Sequence, residues 1–253
     1  EHGLKMNQVA FTALIDAHVR AEQMEQAEGL LWQMEADGIQ PNTFTYSSLV
    51  KGYSRTGQLD RALDTFGLML SKGLQADTVI FNTLLDGAVR ASRFELCDQL
   101  LKDMSKANIP ESNFTLSIII KMWGKRHCLD AAFQAAREST KNSHQRLDSQ
   151  ICTCLISACL HNHAPERAIK AMQEMKSWPN CDGPDAASYS MLVGGLLRAG
   201  MATEAAEAAA DAMRSNEQPS HALSEDVLAR LFKVLKHRGM HAELLHLDHL
   251  LSA

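Results

Sequence analysis

Polar side chains recur along the chain at intervals of 35 residues, in two positions of each interval. Serine, threonine and asparagine donate or accept hydrogen bonds, and aspartate accepts them. The same residue types are ordinary at helix starts and in turns, so capping is the alternative role. Capping alone would not predict that both members stay polar through three successive intervals. The pairs are Thr12 with Asn42, Ser47 with Asp77, and Asn82 with Ser112.

A basic or histidine side chain occupies one further position in seven intervals. The chain is acidic overall, with 25 basic and 30 acidic residues and a formal net charge of −5. Basic residues kept at one position of an acidic chain predict a cationic line that faces an anionic partner. Cations are also favoured at helix carboxyl ends, which is the alternative explanation. The positions are Arg20, Arg55, Arg90, Lys125, His161, Arg198 and His237.

Cysteine and histidine cluster in one stretch without the spacing of a metal site. Zinc sites prefer two cysteines with two to four residues between them and a matched second pair. Only one residue separates Cys152 from Cys154, and a helix would direct the two side chains apart. His241 and Glu243 resemble the His-x-Glu of zinc deaminases, but no Pro-Cys-x-x-Cys follows. No nucleophile–base arrangement is recognisable, so we expect no metal, no cofactor and no enzymatic activity.

The composition adds three expectations. Cys97, Cys152 and Cys159 fall on apolar positions and are typical of small core residues in a reducing compartment. No run of 18 or more apolar residues occurs, so we expect no membrane span. No targeting peptide is recognisable, and residues 1–7 look like the end of a preceding repeat.

The elements that position these side chains are helices repeated with a period of 35 residues. In the first unit, 8–42, Phe11, Leu14 and Ile15 share one helical face, and Ala27 with Met34 marks a second helix. A fixed period of this length predicts a solenoid, because a single helix pair cannot bury both apolar faces alone. Units 43–77 and 78–112 repeat the pattern.

The later units are less regular. Units 113–148, 149–185 and 186–224 have longer closing loops or alanine-rich second helices, and 225–253 is predicted to be a terminal capping helix pair. The second helix of unit 113–148 is predicted to contribute only small residues to the core. We therefore predict an all-α fold, an α-solenoid superhelix of about seven stacked antiparallel helix pairs.

The regular units resemble pentatricopeptide repeats of the P type. The resemblance is carried by FTALID at 11–16, Met34 and GIQPN at 38–42, and it recurs in YSSLVKGY at 46–53 and FNTLLDG at 81–87. The related tetratricopeptide repeat has a period of 34 residues and other signature residues. Pentatricopeptide repeats read single-stranded RNA one base per repeat.

The resemblance implies that each polar pair faces one base. Guanine and uracil present a ring N–H and need an acceptor, whereas adenine and cytosine present a bare ring nitrogen and need a donor. The implied bases are A for Thr12/Asn42, G for Ser47/Asp77 and a pyrimidine for Asn82/Ser112. Two pairs beside loops of irregular length, Ser117/Asp148 and Thr153/Asp185, both suggest G.

The resemblance also assigns two further rows of residues. Base stacking between repeats falls to Val9, Phe44, Val79 and Phe114, for which a hydrophobic staple at a helix start is the alternative. The stacking position becomes Gln150 and Ala187 in later units, where stacking should fail. Contacts to phosphate fall to Arg20, Arg55, Arg90, Lys125 and Arg198.

Sequence-selective binding of single-stranded RNA, without catalysis, is therefore the expected function. Family resemblance places it in a mitochondrion or chloroplast, acting on RNA stability, processing or translation. The alternative is a scaffold that binds protein subunits of a larger organellar assembly such as a mitochondrial ribosome. A continuous positive stripe on the concave face would favour RNA, and an acidic or apolar face would favour the scaffold.

Overall fold

A computed structural model describes residues 6–142, 146–215 and 218–252. Most of the predicted amino-terminal remnant, and residues 143–145 of the predicted loop of unit 113–148, lie outside the described residues. Within them the chain forms 14 α-helices, one short 3₁₀ helix and a single isolated β-bridge between Leu147 and Cys181. The first six helices are α1 (Gln8–Arg20), α2 (Met24–Ala36), α3 (Thr43–Arg55), α4 (Leu59–Ser71), α5 (Thr78–Arg90) and α6 (Phe94–Lys106). They are followed by α7 (Asn113–Lys125), α8 (Leu129–Asn142), α9 (Ser149–His161), α10 (Pro165–Met175), α11 (Ala186–Arg198), α12 (Ala202–Ser215), the 3₁₀ helix (Pro219–His221), α13 (Glu225–His237) and α14 (His241–Ser252).

The helices form successive pairs joined by short turns, so the prediction of an all-α solenoid of helix pairs is confirmed. The odd-numbered helices are the first helices of the pairs, and each contains 13 residues. They begin at the first residue of each predicted unit and end at the recurrent basic or histidine position. The even-numbered second helices vary from 11 residues in α10 to 14 in α8 and α12.

Five of the first helices have a side-chain cap at their amino termini. A side-chain oxygen of the residue before the helix accepts a hydrogen bond from the backbone three residues on, which satisfies one of the free N–H groups there. The second helices α2, α4, α6 and α10 have no such side-chain cap. The capped first helices are α1 by Asn7, α3 by Asn42, α5 by Asp77, α9 by Asp148 and α11 by Asp185.

The turn between the two helices of a pair contains a residue with positive φ. Gly57 has φ of 76° there, which glycine adopts without a steric penalty. Glu22 occupies the same position of the preceding pair with φ of 60°. The conformation is therefore set by the turn, which closes the first helix with backbone hydrogen bonds, and glycine is only the least strained residue for it.

The chain divides into two compact units, Glu1–Phe114 and Thr115–Ala253. In the first unit, α1, α3 and α5 pack side by side, and each also packs on its own second helix. Close approach depends on Gly52, because a Cβ there would lie 2.6 Å from the Met24 sulfur and 2.9 Å from Val19. The core along this row includes Phe11, Ile15, Met34, Tyr46, Leu49, Tyr53, Phe81 and Leu84.

Ion pairs link consecutive second helices of this unit. Arg61 of α4 lies 3.0 Å from Glu28 of α2, and Arg93 before α6 pairs with Asp60 of α4. Each pair is solvent-exposed and contributes at most about 1 kcal/mol. They stabilise the stacking less than the buried side chains do.

The second unit has its own core around α9, α11 and the alanine-rich helix α12. Gly195 of α11 packs against Leu160 of α9, with no room for a side chain. The expectation that α8 contributes only small residues is wrong, because Phe133 is 4% exposed and packs within the core. The Arg167 guanidinium lies 5.0 Å from the centre of the Phe133 ring, which gives this aromatic a second partner.

Candidate nucleic-acid interface

Thr12 and Asn42 are connected through a third side chain. The Thr12 hydroxyl lies 3.0 Å from the Thr45 hydroxyl, which donates to Asn42 Oδ1 at 3.0 Å. The Thr45 backbone N–H donates to the same oxygen at 3.0 Å. Because Oδ1 receives both bonds, the Asn42 amide is oriented with its Nδ2 donor available to a ligand.

The same arrangement recurs in the second unit. The Thr153 hydroxyl lies 2.9 Å from the Ser188 hydroxyl, which donates to Asp185 Oδ1 at 2.9 Å. The Ser188 N–H also donates to Oδ1, and the Ser149 hydroxyl donates to Oδ2 at 2.7 Å. Burial raises the pKa of Asp185, but these hydrogen bonds outweigh it and the pKa lies below its usual value. Asp185 is therefore a carboxylate at neutral pH and offers only acceptors.

Asp77 and Asp148 cap their helices without a bridging hydroxyl. Asp77 Oδ1 accepts from the Ile80 N–H at 2.9 Å, and Asp148 Oδ1 accepts from the Ile151 N–H at 3.3 Å. An isoleucine stands where Thr45 stands in the first pair, so no side chain connects Ser47 to Asp77. The second carboxylate oxygen of Asp77, an exposed residue, remains an acceptor for a ligand.

Asn82 and Ser117 differ from the other first members because they are buried, with exposed fractions of 5% and 3%. Asn82 Oδ1 is fully buried and has no hydrogen-bond partner among the residues that the structure describes. Ser112, the second member of the Asn82 pair, is half-buried immediately before α7. A buried acceptor without a donor is costly, and a ligand N–H reaches it only if the Asn82 side chain rotates out of the core.

Capping and ligand binding are therefore compatible at these positions. In Asn42 and Asp77 the cap uses one oxygen of the side chain and leaves the opposite atom of the planar group outside the helix. For Asn42 that atom is a donor, and for Asp77 it is an acceptor. The cap thus fixes the orientation of the group that a base would meet.

A row of large apolar side chains lies exposed on the same helices. Val9 is 74% exposed, Phe44 60%, Val79 57% and Phe114 59%. A hydrophobic staple would be buried against its own helix, so these exposures favour the stacking role. Gln150 and Ala187, at the equivalent positions of α9 and α11, are also exposed but offer little surface to a base.

The recurrent cations are exposed at the last residue of each first helix, and several have partners inside the protein. Arg55 donates to the carbonyls of Val19 and Arg20, at the carboxyl end of α1. Arg90 donates to the Ser54 carbonyl at 3.0 Å, near the end of α3. Two of the cations therefore cap the preceding first helix, which the alternative of helix-end stabilisation anticipates in part.

Two side chains predicted to contact phosphate lie in the second unit. Lys125 is exposed at the end of α7. Arg198, at the end of α11, lines an open cleft of 510 Å³ together with His161 and His163. This cleft brings three basic or titratable side chains together between the ends of α9 and α11.

Charged residues one turn before the recurrent cations are not among the predicted site residues. Asp16 lies 2.7 Å from Arg20, and Asp86 lies 3.0 Å from Arg90. Lys51 occupies the equivalent position of α3 and is exposed. The signal was present in the sequence as a spacing of four residues, which places two side chains on one helical face.

Serine pairs continue beyond the predicted ones. The Ser224 N–H donates to the Ser190 hydroxyl at 2.8 Å, although Ser224 makes no side-chain cap of α13. In the described part of the chain, no group of three or more potential metal ligands is found. No helix there is both long and apolar enough to cross a membrane.

Comparison with known proteins identifies the repeats. A profile described as "PPR repeat family" matches residues 6–55 and 76–125, and one described as "PPR repeat" matches residues 44–74 and 151–178. Among curated proteins, none matches the chain. Together the two profiles cover more than half of the sequence.

Solved structures share the fold. The pentatricopeptide repeat protein PPR10 from maize matches with a TM-score of 0.67 and 22% identity, over 97% of this chain and 34% of that one. PPR10 in complex with an 18-nt psaJ RNA element matches with a TM-score of 0.59 and 19% identity, over 94% of this chain and 40% of that one. The PPR domain of Arabidopsis thaliana protein-only RNase P 1, in complex with tRNA, matches with a TM-score of 0.55 and 15% identity, over 67% and 89% of the two chains. The chain thus spans about a third of the length of the maize protein. By its profile matches and its helix pairs, the chain belongs to the pentatricopeptide repeat family.

Proposed function

We propose that the chain binds single-stranded RNA with base selectivity set by the polar pairs of its first helices. Membership of the repeat family supports RNA as the ligand, and so do the RNA complexes of PPR10 and of the RNase P repeat domain. The finer proposal is action on an organellar transcript, in its stability, processing or translation, without catalysis by this chain. Its compartment, mitochondrion or chloroplast, rests on family membership alone.

One observation carries the proposal: on each of these helices an exposed apolar side chain lies one turn before the first member of a polar pair, on the same helical face. Phe44 and Ser47 illustrate the spacing of three residues in α3. Stacking on an aromatic or apolar side chain holds a base without regard to its identity, and nearby hydrogen-bonding groups distinguish one base from another. Side chains that are 57–74% exposed would otherwise leave apolar surface in water.

The hydrogen-bonding polarity of the pairs supports different bases at successive repeats. The cap of α3 leaves the Asn42 amide as a donor, which suits the bare ring nitrogen of adenine. The cap of α5 leaves an Asp77 oxygen as an acceptor, which suits the ring N–H of guanine. Two adjacent repeats, one offering a donor and the next an acceptor, would read A followed by G.

The test is Asn42→Asp, which exchanges a donor for an acceptor on the same cap. Asparagine and aspartate are equally good at this helix position, so the folded structure should keep its stability. We expect the preference at one nucleotide to move from A toward G by about 1–3 kcal/mol, the size of other direct base contacts. Competition binding with oligonucleotides that differ at that single base measures it.

Asn7→Asp serves as the matched control for stability, because Asn7 caps α1 in the same way, accepting from the Ala10 N–H at 2.9 Å. Both variants should unfold at the same denaturant concentration as the parent. An unchanged A-to-G ratio would refute base reading by Asn42. Absence of RNA binding by the parent protein would refute the function itself and leave the exposed apolar row as a protein-binding surface of a scaffold.

A further inference from the structure

Charge alternates along the shared face of the first helices in the first unit. One turn before the final arginine of each helix stands Asp16 in α1, Lys51 in α3 and Asp86 in α5. Residues four apart lie next to each other on a helix, so each of these side chains lies beside the arginine that follows it. The recurrent arginines therefore have unlike electrostatic surroundings.

In α1 and α5 the arginine is paired. Arg20 lies 2.7 Å from the Asp16 carboxylate, and Arg90 Nε lies 3.0 Å from the Asp86 carboxylate. Each pair has a net charge of zero at neutral pH. An arginine held in this way brings a carboxylate close to any phosphate that it contacts, and the carboxylate repels the phosphate.

In α3 the charges do not cancel in this way. Lys51 replaces the aspartate beside Arg55, and Lys51 is exposed and makes no ion pair among the residues that the structure describes. Arg55 is directed to the Val19 and Arg20 carbonyls, and its Nε lies 3.6 Å from Glu22. Among the described residues of this face, Lys51 is thus a cation that forms no ion pair with a carboxylate.

We infer that Lys51 is the main phosphate-binding side chain of the first unit, and that Asp16 and Asp86 withhold Arg20 and Arg90 from the RNA backbone. The inference rests on the proposed function and deepens it, because it names which residues supply the electrostatic part of binding. On this view the face is not a uniform line of cations, because Lys51 lies between two ion pairs with no net charge. Such a face limits sequence-independent attraction and leaves more of the affinity to the bases.

The expected size follows from counterion release. Each phosphate contact on a single strand contributes about 0.7 to the slope of log affinity against log salt concentration, and about fivefold in affinity near 0.1 M salt. Removing Lys51 should cost one such contact. Removing an aspartate should release an arginine and add one.

The experiment compares Lys51→Met, the double variant Asp16→Asn/Arg20→Met, Asp16→Asn and Asp86→Asn with the parent, by titrating a fluorescent single-stranded RNA at several salt concentrations. Lys51→Met should bind about fivefold more weakly with a slope lower by about 0.7. Asp16→Asn/Arg20→Met should change affinity by less than about twofold, because it removes both charges of a pair that makes no phosphate contact. Asp16→Asn and Asp86→Asn should each bind up to about fivefold more tightly, with a steeper slope.

Matched controls lie on the second helices, away from this face. Lys102→Met removes an exposed lysine of α6, and Asp64→Asn removes an exposed aspartate of α4. Both should leave affinity and slope unchanged. If they shift binding as much as the face variants do, only net charge matters and the inference is wrong.

A double variant makes the test specific for the ion pair. With Asp16→Asn present, Arg20→Met should cancel the gain in affinity that Asp16→Asn gives, so the double variant should bind like the parent. A loss for the double variant as large as that for Lys51→Met would overturn the inference while RNA binding stands. If the parent binds no RNA, both the inference and the proposed function fail.

Discussion

The buried Oδ1 atom of Asn82 leads to a prediction in which stability and RNA selectivity change in opposite directions. Asn82 Oδ1 is fully buried with no donor among the described residues, and the side chain is 5% exposed in the middle of α5. Asn82→Leu keeps a side chain of similar volume and removes the unsatisfied acceptor. The protein without RNA should become more stable as a result.

The magnitude follows from the cost of an unsatisfied polar group. Leaving a buried acceptor without a donor costs about 1–3 kcal/mol, and leucine regains that amount. Leucine also favours a helix over asparagine by a few tenths of a kcal/mol. We expect the free energy of opening α5 to rise by about 1–3 kcal/mol, which slows amide hydrogen exchange about 5- to 150-fold.

Hydrogen exchange of peptides from α5 measures this effect within the unit that contains it. If Asn82 and Ser112 read a nucleotide as proposed, the same variant should lose discrimination there, because leucine offers neither donor nor acceptor. Competition between oligonucleotides that carry a purine or a pyrimidine at that position measures the loss. A variant that is more stable and less selective would show that Asn82 contributes to base selection at a cost in stability.

Asn162→Leu is the matched control, since the Asn162 side chain is fully bonded. Its Nδ2 donates to the carbonyls of Gly124 and Ala158 at 2.8 Å, and its Oδ1 lies 2.6 Å from His127 Nδ1. Losing these bonds should destabilise the second unit by about 1–3 kcal/mol. The reasoning about Asn82 is refuted if Asn82→Leu destabilises the first unit to a similar degree.

Two further predictions concern the packing of the first unit. Gly52→Ala should destabilise this unit by about 1–3 kcal/mol, because the added Cβ lies 2.6 Å from the Met24 sulfur. Gly67→Ala has open space around the added Cβ and should stabilise α4 by about 1 kcal/mol. Urea denaturation of both variants measures the two effects, and equal effects would contradict the reasoning. Burial raises the pKa of Tyr53 to about 12, and the Glu28 carboxylate adds to the rise. Since the unfolded phenol loses its proton near pH 10 and the folded one near pH 12, stability should fall by up to about 2–3 kcal/mol across this range. Tyr53→Phe should remove that part of the pH dependence, and an unchanged alkaline transition would count against the assignment.

The period and the apolar faces were enough to predict the architecture. Phe11, Ile15 and Met34 recur in register because each helix pair must bury the same two faces against its neighbours, so local pattern and packing agree. The two polar positions were also visible, since a residue that caps a helix stands at a fixed place in every repeat. Asn42 and Asp77 occupy the predicted places and cap α3 and α5.

Contacts between neighbouring repeats were not predictable from the same pattern. The sequence shows Arg55 at a recurrent position, but only the packing of α3 on α1 brings its guanidinium to the Val19 carbonyl. The pairing of Arg20 with Asp16 was missed because the period draws attention to what repeats, and aspartate alternates with lysine at this position. Burial of Phe133 in α8 was missed because it lies beside the small residues on which the repeat pattern rests.

The double role of the capping residues has an evolutionary consequence. The side chains that a helix start accepts with little change in stability are asparagine, aspartate, serine and threonine. These are also the side chains whose donors and acceptors tell bases apart. If Asn42 reads a base as proposed, a codon change that turns it into aspartate alters the preferred nucleotide without passing through an unstable protein. A repeat protein with such caps would acquire a new target sequence one repeat at a time, and its fold would stay stable at every step.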